Sequence, residues 1–101
     1  MKKRVFRDYR EKLVEDLQDP ELAYMYLNEC LQHPDPRIFL LALKDVYEAR
    51  NIDMTKLAQD AHLNRENLYR ILSKKGNPTL TSLISILHNT GFTLAIQPYK
   101  K

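Results

Sequence analysis

Met54-Thr55-Lys56-Leu57-Ala58-Gln59-Asp60-Ala61-His62-Leu63-Asn64-Arg65-Glu66-Asn67-Leu68-Tyr69-Arg70-Ile71-Leu72-Ser73 is the stretch that decides the fold. It reads as two short helices, near residues 54–61 and 65–73, with a turn at His62-Leu63 between them. Leu57 and Ala58 are inward on the first helix, Leu63 sits in the turn, and Leu68 and Ile71 are inward on the second. Two short helices that cross steeply need a small residue at the crossing and apolar plugs from both helices and the turn. Ala58 is that small residue. Asn64 is placed to cap the second helix, since its side-chain oxygen can accept from a free N–H at the helix start. The outward positions are then Arg65, Glu66, Asn67, Tyr69, Arg70 and Ser73. That face is polar, has two arginines and is short of aliphatics, as expected of a helix that reads base edges.

The charge balance agrees with this placement. The chain carries 16 Lys and Arg against 13 Asp and Glu. Residues 1–53 hold nine basic and eleven acidic side chains, net −2, and residues 54–101 hold seven and two, net +5. A polyanion would dock on the C-terminal half. Charge alone is equally served by an uneven surface with no partner.

With 101 residues there is room for one domain, and 44% hydrophobic residues is a globular composition. No apolar run approaches the roughly 18 residues that cross a bilayer, so no membrane partner is expected. Met1-Lys2-Lys3-Arg4 is basic, but no apolar stretch or small-residue cleavage site follows, which argues against a secretory signal. One cysteine makes no internal disulfide, and a cytoplasmic setting is expected.

Outside residues 54–73 the chain also reads as helices. Residues 7–18 place Tyr9, Leu13, Val14 and Leu17 on one stripe. Asp19-Pro20 opens a helix over 20–32, with Asp as cap and Pro at the first helical position. Leu22, Met25 or Tyr26, and Cys30 are inward on it. Asp35-Pro36 repeats the device for a helix over 36–50. Its stripe is Phe39, Ala42, Leu43 and Val46, and Ile38, Leu40, Leu41 and Tyr47 make it apolar nearly all round. Such a helix is central, buried between neighbours. Gly76 is expected to close the helix before it in a left-handed conformation. Thr79 caps a last helix, with Leu80, Leu83, Ile84 and Leu87 inward, that ends at Asn89-Thr90-Gly91.

Residues 92–97 alternate Phe92, Leu94 and Ile96 with Thr93, Ala95 and Gln97, which is a strand pattern. No second strand is evident, and a lone strand leaves backbone groups unpaired. The same strand of a second copy, antiparallel about a two-fold axis, would pair them. A homodimer through 92–97 is one reading, and a strand laid on its own helices is the other.

The spacing of residues 54–73 resembles the helix-turn-helix of the phage-repressor (Cro/C1, XRE) family. One turn position departs from it, with His62 where that family usually has Gly. The resemblance runs further. Asp19-Pro20-Glu21-Leu22-Ala23 with Tyr26-Leu27-Asn28 is similar to the "probable addiction module antidote" proteins, a HigA-like branch of antitoxins. So are Phe39-Leu40-Leu41-Ala42-Leu43-Lys44-Asp45-Val46, Leu63-Asn64-Arg65-Glu66-Asn67-Leu68-Tyr69 and Gly76-Asn77-Pro78-Thr79-Leu80. It covers about residues 7–98. The resemblance implies an antitoxin that binds and neutralises a RelE/ParE-like (HigB-type) toxin and represses its own operon.

On double-stranded operator DNA, Arg65 and Arg70 are the candidates for bidentate contact with guanine, worth about 1–3 kcal/mol of discrimination each. Glu66 can accept from cytosine N4, and Asn67 can pair with adenine. Tyr69 can touch a thymine methyl or a phosphate, or pack beside Ile71. Thr55 and Lys56, at the start of the first short helix, face a phosphate. Asp53 works against that by filling the same N–H groups. Lys74, Lys75 and Asn77 clamp phosphates, or form a solvated loop. Phosphate contacts set affinity and salt dependence, and base contacts set sequence.

His33, His62, His88 and Cys30 have no zinc-ligand spacing, and no metal or other cofactor is expected. There is no phosphate loop and no nucleophile with its base, so an enzyme is not expected. Phe6, Tyr9, Tyr24, Met25 and Tyr26 either form an aromatic patch for a protein partner or pack between helices. The acidic N-terminal half is the expected place for a basic toxin. The expected fold is all-α, a phage-repressor-like helix-turn-helix bundle. Residues 1–34 form an N-terminal helical extension, 36–91 the helix-turn-helix core, and 92–97 one C-terminal β-strand that pairs in a homodimer. Two recognition helices would then enter successive major grooves about 34 Å apart. A stand-alone repressor with no toxin is the alternative function. A third reading is an interaction adaptor that no longer binds DNA.

Overall fold

The computed structural model describes the backbone of residues 2–100 and the side chains of residues 9–100. Six helices follow one another: α1 (Lys2–Leu17), α2 (Pro20–Leu31), α3 (Arg37–Ala49), α4 (Met54–Asp60), α5 (Arg65–Ile71) and α6 (Leu80–His88). Their starts are written in side-chain oxygens. Asp19 accepts from the Glu21 amide at 2.9 Å, Asp53 from Lys56 at 3.1 Å, Asn64 from Asn67 at 2.7 Å and Thr79 from Ser82 at 3.1 Å. Each bond satisfies a donor the helix itself leaves free. Asp35 accepts the Arg37 amide at 3.0 Å and also grips its guanidinium, at 3.0 and 2.9 Å. That grip holds the Asp35 carboxyl below the usual carboxylate range.

Three helices end by the same closure. After α3, Asn51 has φ 55°, its amide donates to Glu48 O at 3.2 Å and that of Ile52 to Tyr47 O at 3.0 Å. After α4, His62 has φ 60°, its amide donates to Gln59 O at 3.1 Å and that of Leu63 to Ala58 O at 2.8 Å. After α6, Gly91 has φ 90°, its amide donates to His88 O at 3.4 Å and that of Phe92 to Leu87 O at 2.9 Å. One left-handed residue per helix turns the chain and brings the next apolar residue back onto the last turn. That is how Leu63 is delivered beneath α4 and Phe92 beside Leu87.

The core is one cluster that runs from Leu17, Ala23 and Leu27 through α3 to Leu57, Leu68, Leu72, Ile86 and Leu87. Helix α3 is its axis, burying Phe39, Leu40, Ala42, Leu43, Val46, Tyr47 and Ala49 and packing against both α1 and α2. Leu43 and Val46 have no exposed surface. Truncating such a leucine to alanine costs about 2–5 kcal/mol. Gln18 ties the end of α1 to α3 through Ala49 O at 3.4 Å. The half-buried Tyr26 donates to Asp45 Oδ2 at 3.1 Å, and burial, then the carboxylate, pushes its phenol well above the ordinary range. Cys30 is half-buried against the same core, and burial pushes its thiol up.

The structure corrects several expectations. No strand exists among the described residues, and 92–97 is without regular secondary structure. A single chain offers that segment no neighbouring strand to bond. Gly76 is not left-handed. A Cβ there would overlap the Ile71 carbonyl oxygen and approach Leu40 Cδ1 to 2.9 Å. Glycine is required by close passage of the chain, not by φ. On α2 the buried residues are Ala23 and Leu27, whereas Leu22 and Met25 are exposed. Tyr9 is likewise exposed at the far end of its stripe. On α6, Ile86 and Leu87 are buried, Leu83 and Ile84 half-buried, and Leu80 exposed. Phe6 lies outside the described side chains. No helix among the described residues is long and apolar enough to cross a membrane.

Candidate nucleic-acid interface

Helices α4 and α5 pack on each other across a turn of four residues, Ala61 to Asn64. Leu57 and Ala58 of α4, and Leu68 and Ile71 of α5, are buried, and Leu63 is half-buried between them. Ala58 is 2% exposed, a small residue buried at the crossing. These contacts fix which way α5 faces.

Its free face carries Arg65, Glu66, Asn67, Tyr69 and Arg70, all exposed. The Arg65 guanidinium lies over the Tyr69 ring, 5.5 Å from its centroid. A cation–π contact at an exposed site is worth about 0.5–1 kcal/mol. It orders the arginine along the helix and gives Tyr69 a role that spacing alone left open. Asn64 and Asn67 differ in employment. The Asn64 side chain is committed to the cap, and the Asn67 side chain makes no hydrogen bond among the described residues.

The structure places the phosphate candidates less uniformly. Thr55 and Lys56 are exposed on the first turn of α4. Asp53 already occupies that helix start, and Lys56 Nζ reaches Asp60 Oδ2 at 3.4 Å. Exposed pairs of this kind are weak, about 0–1 kcal/mol, yet the Lys56 charge is shared with a carboxylate. Lys74, Lys75 and Asn77 are exposed in the segment after α5. Ser73 organises that segment: its hydroxyl donates to Arg70 O at 2.6 Å and accepts from the Lys75 amide at 3.2 Å. The lysines therefore leave α5 in a defined direction. Sequence reasoning counted Ser73 among the outward residues and missed this local role, although a serine at a helix end is its usual signal.

Among the described residues, no group of three or more His, Cys, Asp or Glu is arranged to hold a metal ion. His33 and His88 are exposed, and His33 Nδ1 accepts from the Asp35 amide at 3.0 Å. The arrangement offers a rigid polar face with two arginines, backed by the α3–α4–α5 core and followed by two lysines.

The family model for probable addiction module antidote proteins matches residues 9–98. The chain is also 36% identical, over 85 residues, to an uncharacterized protein of Haemophilus influenzae (strain Rd), across 84% of this chain and 86% of that one. No solved structure matches the chain.

Proposed function

The chain belongs to the probable addiction module antidote family, and on that premise we propose that it is the antitoxin of a type II toxin–antitoxin module and the DNA-binding repressor of its own operon. Family membership gives it an antitoxin role with a toxin partner of some kind. We assign that toxin to the RelE/ParE-like (HigB) type, as the resemblance of the sequence to HigA-like antitoxins implies. The outward-facing acidic and apolar residues of α1 and α2, among them Tyr9, Leu22 and Met25, are the surface offered to it.

The repressor half of the reading is carried by one observation. The α4–α5 unit, a helix-turn-helix of the XRE type in this reading, is locked by the Asn64 cap and the His62 closure so that Arg65, Glu66, Asn67 and Arg70 stand together on a free face. A helix presented in this way fits the major groove, and its arginines match the paired acceptors of guanine. Lys74 and Lys75 supply phosphate contacts on leaving the groove. Lys56, shared with Asp60, contributes less. The protein acts as a homodimer, so that two α5 helices read the two halves of a palindrome. The test is binding of the purified chain to the duplex upstream of its own gene over a salt series. Affinity that falls steeply with salt and exceeds that for a scrambled duplex is expected. Equal affinity for both duplexes would overturn the repressor reading and leave the antitoxin role standing.

A further inference from the structure

Nine large apolar side chains are exposed among the described residues, and four of them, Tyr24, Leu31, Ile96 and Tyr99, line a single groove. The groove, about 940 Å³, runs between α2 and the segment that follows α6, with Phe39 and Leu87 at its floor. Ile96 is fully exposed and Tyr99 is 85% exposed. Apolar surface concentrated in this way marks an interaction site.

The segment beside the groove is also unsatisfied along its backbone. Phe92 donates to Leu87 O, and from Thr93 onward no main-chain group enters a hydrogen bond among the described residues. Phe92 and Leu94 are half-buried against the core, while Thr93 and Ala95 face out. The segment is thus laid down with strand-like alternation and an open edge, the condition in which a second strand adds.

Charge selects the occupant. Residues 89–99 contain no charged side chain, and Lys100 is the one charged residue at the groove. Apart from Lys100, a charged partner finds nothing to pair with here. The matching neutral, alternating strand is this same segment. In an antiparallel pair centred on Ala95, Leu94 of one copy lies opposite Ile96 of the other on the same face. Thr93 lies opposite Gln97, and Pro98, which has no N–H to donate, ends the ladder. The two Lys100 side chains fall at opposite ends and do not meet.

We propose that this groove receives residues 93–99 of a second copy, with Ile96 and Tyr99 of each chain seated against Tyr24 and Leu31 of its partner. The inference rests on the homodimer reading above and specifies its surface. A dimer formed in this way covers the exposed Ile96, pairs the open backbone and leaves both α5 faces free.

The test uses the full chain. Light scattering gives the monomer–dimer equilibrium, and circular dichroism confirms helix content. Tyr24→Glu and Ile96→Asp alter exposed side chains and are expected to raise the dimer dissociation constant roughly tenfold or more with the helices intact. A cross-link separates this geometry from others. A Tyr24→Cys chain is mixed with an Ile96→Cys chain, both in a Cys30→Ser background, and a disulfide-linked heterodimer is expected on oxidation. A dimer unaffected by both charge variants, with no mixed disulfide, would overturn the groove and leave the homodimer reading standing. A wild-type chain that stays monomeric at micromolar concentration would overturn both. Tyr24→Glu that keeps the dimer but loses the co-expressed toxin would give the groove to the toxin and overturn the proposal.

Discussion

The amide of Leu63 donates to the carbonyl oxygen of Ala58 at 2.8 Å, and His62 between them is held at φ 60° to allow it. This bond ends α4, sets Leu63 under the helix crossing and starts the approach to Asn64. The orientation of α5 is therefore decided by a left-handed residue with a side chain. The left-handed region costs a non-glycine residue about 1–2 kcal/mol. Against this, glycine loses more freedom on folding, about 0.5–1 kcal/mol. His62→Gly is expected to stabilise the protein by about 0.5–1 kcal/mol in urea unfolding, and His62→Val to destabilise it by more than about 1 kcal/mol. A stabilising valine would contradict the closure.

Gly76 tests a different kind of constraint. Its φ is ordinary, so Gly76→Ala would be harmless if conformation alone mattered. The added Cβ instead meets the Ile71 carbonyl oxygen and Leu40 Cδ1. The chain between α5 and α6 must move away, which is expected to cost about 1–3 kcal/mol of stability, measured by thermal or urea unfolding.

Tyr47 links the central helix to the end of α6. Its hydroxyl and that of Thr90 share a hydrogen bond of 2.8 Å, and Thr90 is also bonded to Ile86 O and Leu87 O. Burial pushes the Tyr47 phenol up to about 12 from 10.0. A folded-state pKa above the unfolded one means that the folded protein holds the proton longer. Its stability contribution is whole below pH 10 and is lost as pH rises from 10 toward 12. The loss attributable to Tyr47 is about 2–3 kcal/mol across that window. Tyr47→Phe is expected to cost about 1 kcal/mol at neutral pH and to flatten this alkaline fall, read from urea midpoints at a series of pH values.

Much of the local grammar was legible in the sequence. Asp19, Asp53, Asn64 and Thr79 cap where their side-chain chemistry says they should, and Ala58, Leu63, Leu68 and Ile71 meet at the crossing. Periodicity failed where it had too much to choose from. Helix α6 carries Leu80, Leu83, Ile84, Ile86 and Leu87, apolar on most sides, and only its neighbours select Ile86 over Leu80. Leu22 was assigned inward because a stripe on paper has no facing surface, and of the alternatives Met25 and Tyr26 the structure takes Tyr26. The alternation of 92–97 was read as a strand, but a strand exists only when paired, and no other strand exists among the described residues to pair with it. The need for glycine at position 76 comes first from the Ile71 carbonyl, five residues earlier, with Leu40 Cδ1 beside it, and a stop signal in the sequence does not reveal that close passage. Arg65, Glu66, Asn67, Tyr69 and Arg70 were placed on a free face by the spacing of Leu68 and Ile71. The ordering of Arg65 over Tyr69 needed coordinates.

Lys74 and Lys75 are assigned to phosphates, and such contacts have a signature distinct from base contacts. Each phosphate neutralised contributes about 0.9 to the slope of log affinity against log salt. The Lys74→Ala/Lys75→Ala double variant is expected to weaken binding to operator and scrambled duplexes alike and to lower the slope by about 2. A loss confined to the operator would assign these lysines to bases instead.

The most direct measurement of the central claim compares wild type with Arg65→Ala on the duplex upstream of its gene and on a scrambled duplex, by fluorescence anisotropy at one salt concentration. If α5 reads bases, the variant loses about 1–3 kcal/mol of operator affinity, roughly fivefold to over a hundredfold, and keeps its weaker affinity for the scrambled duplex. A variant that still prefers the operator as strongly as wild type would contradict the assignment of α5 as the reading helix.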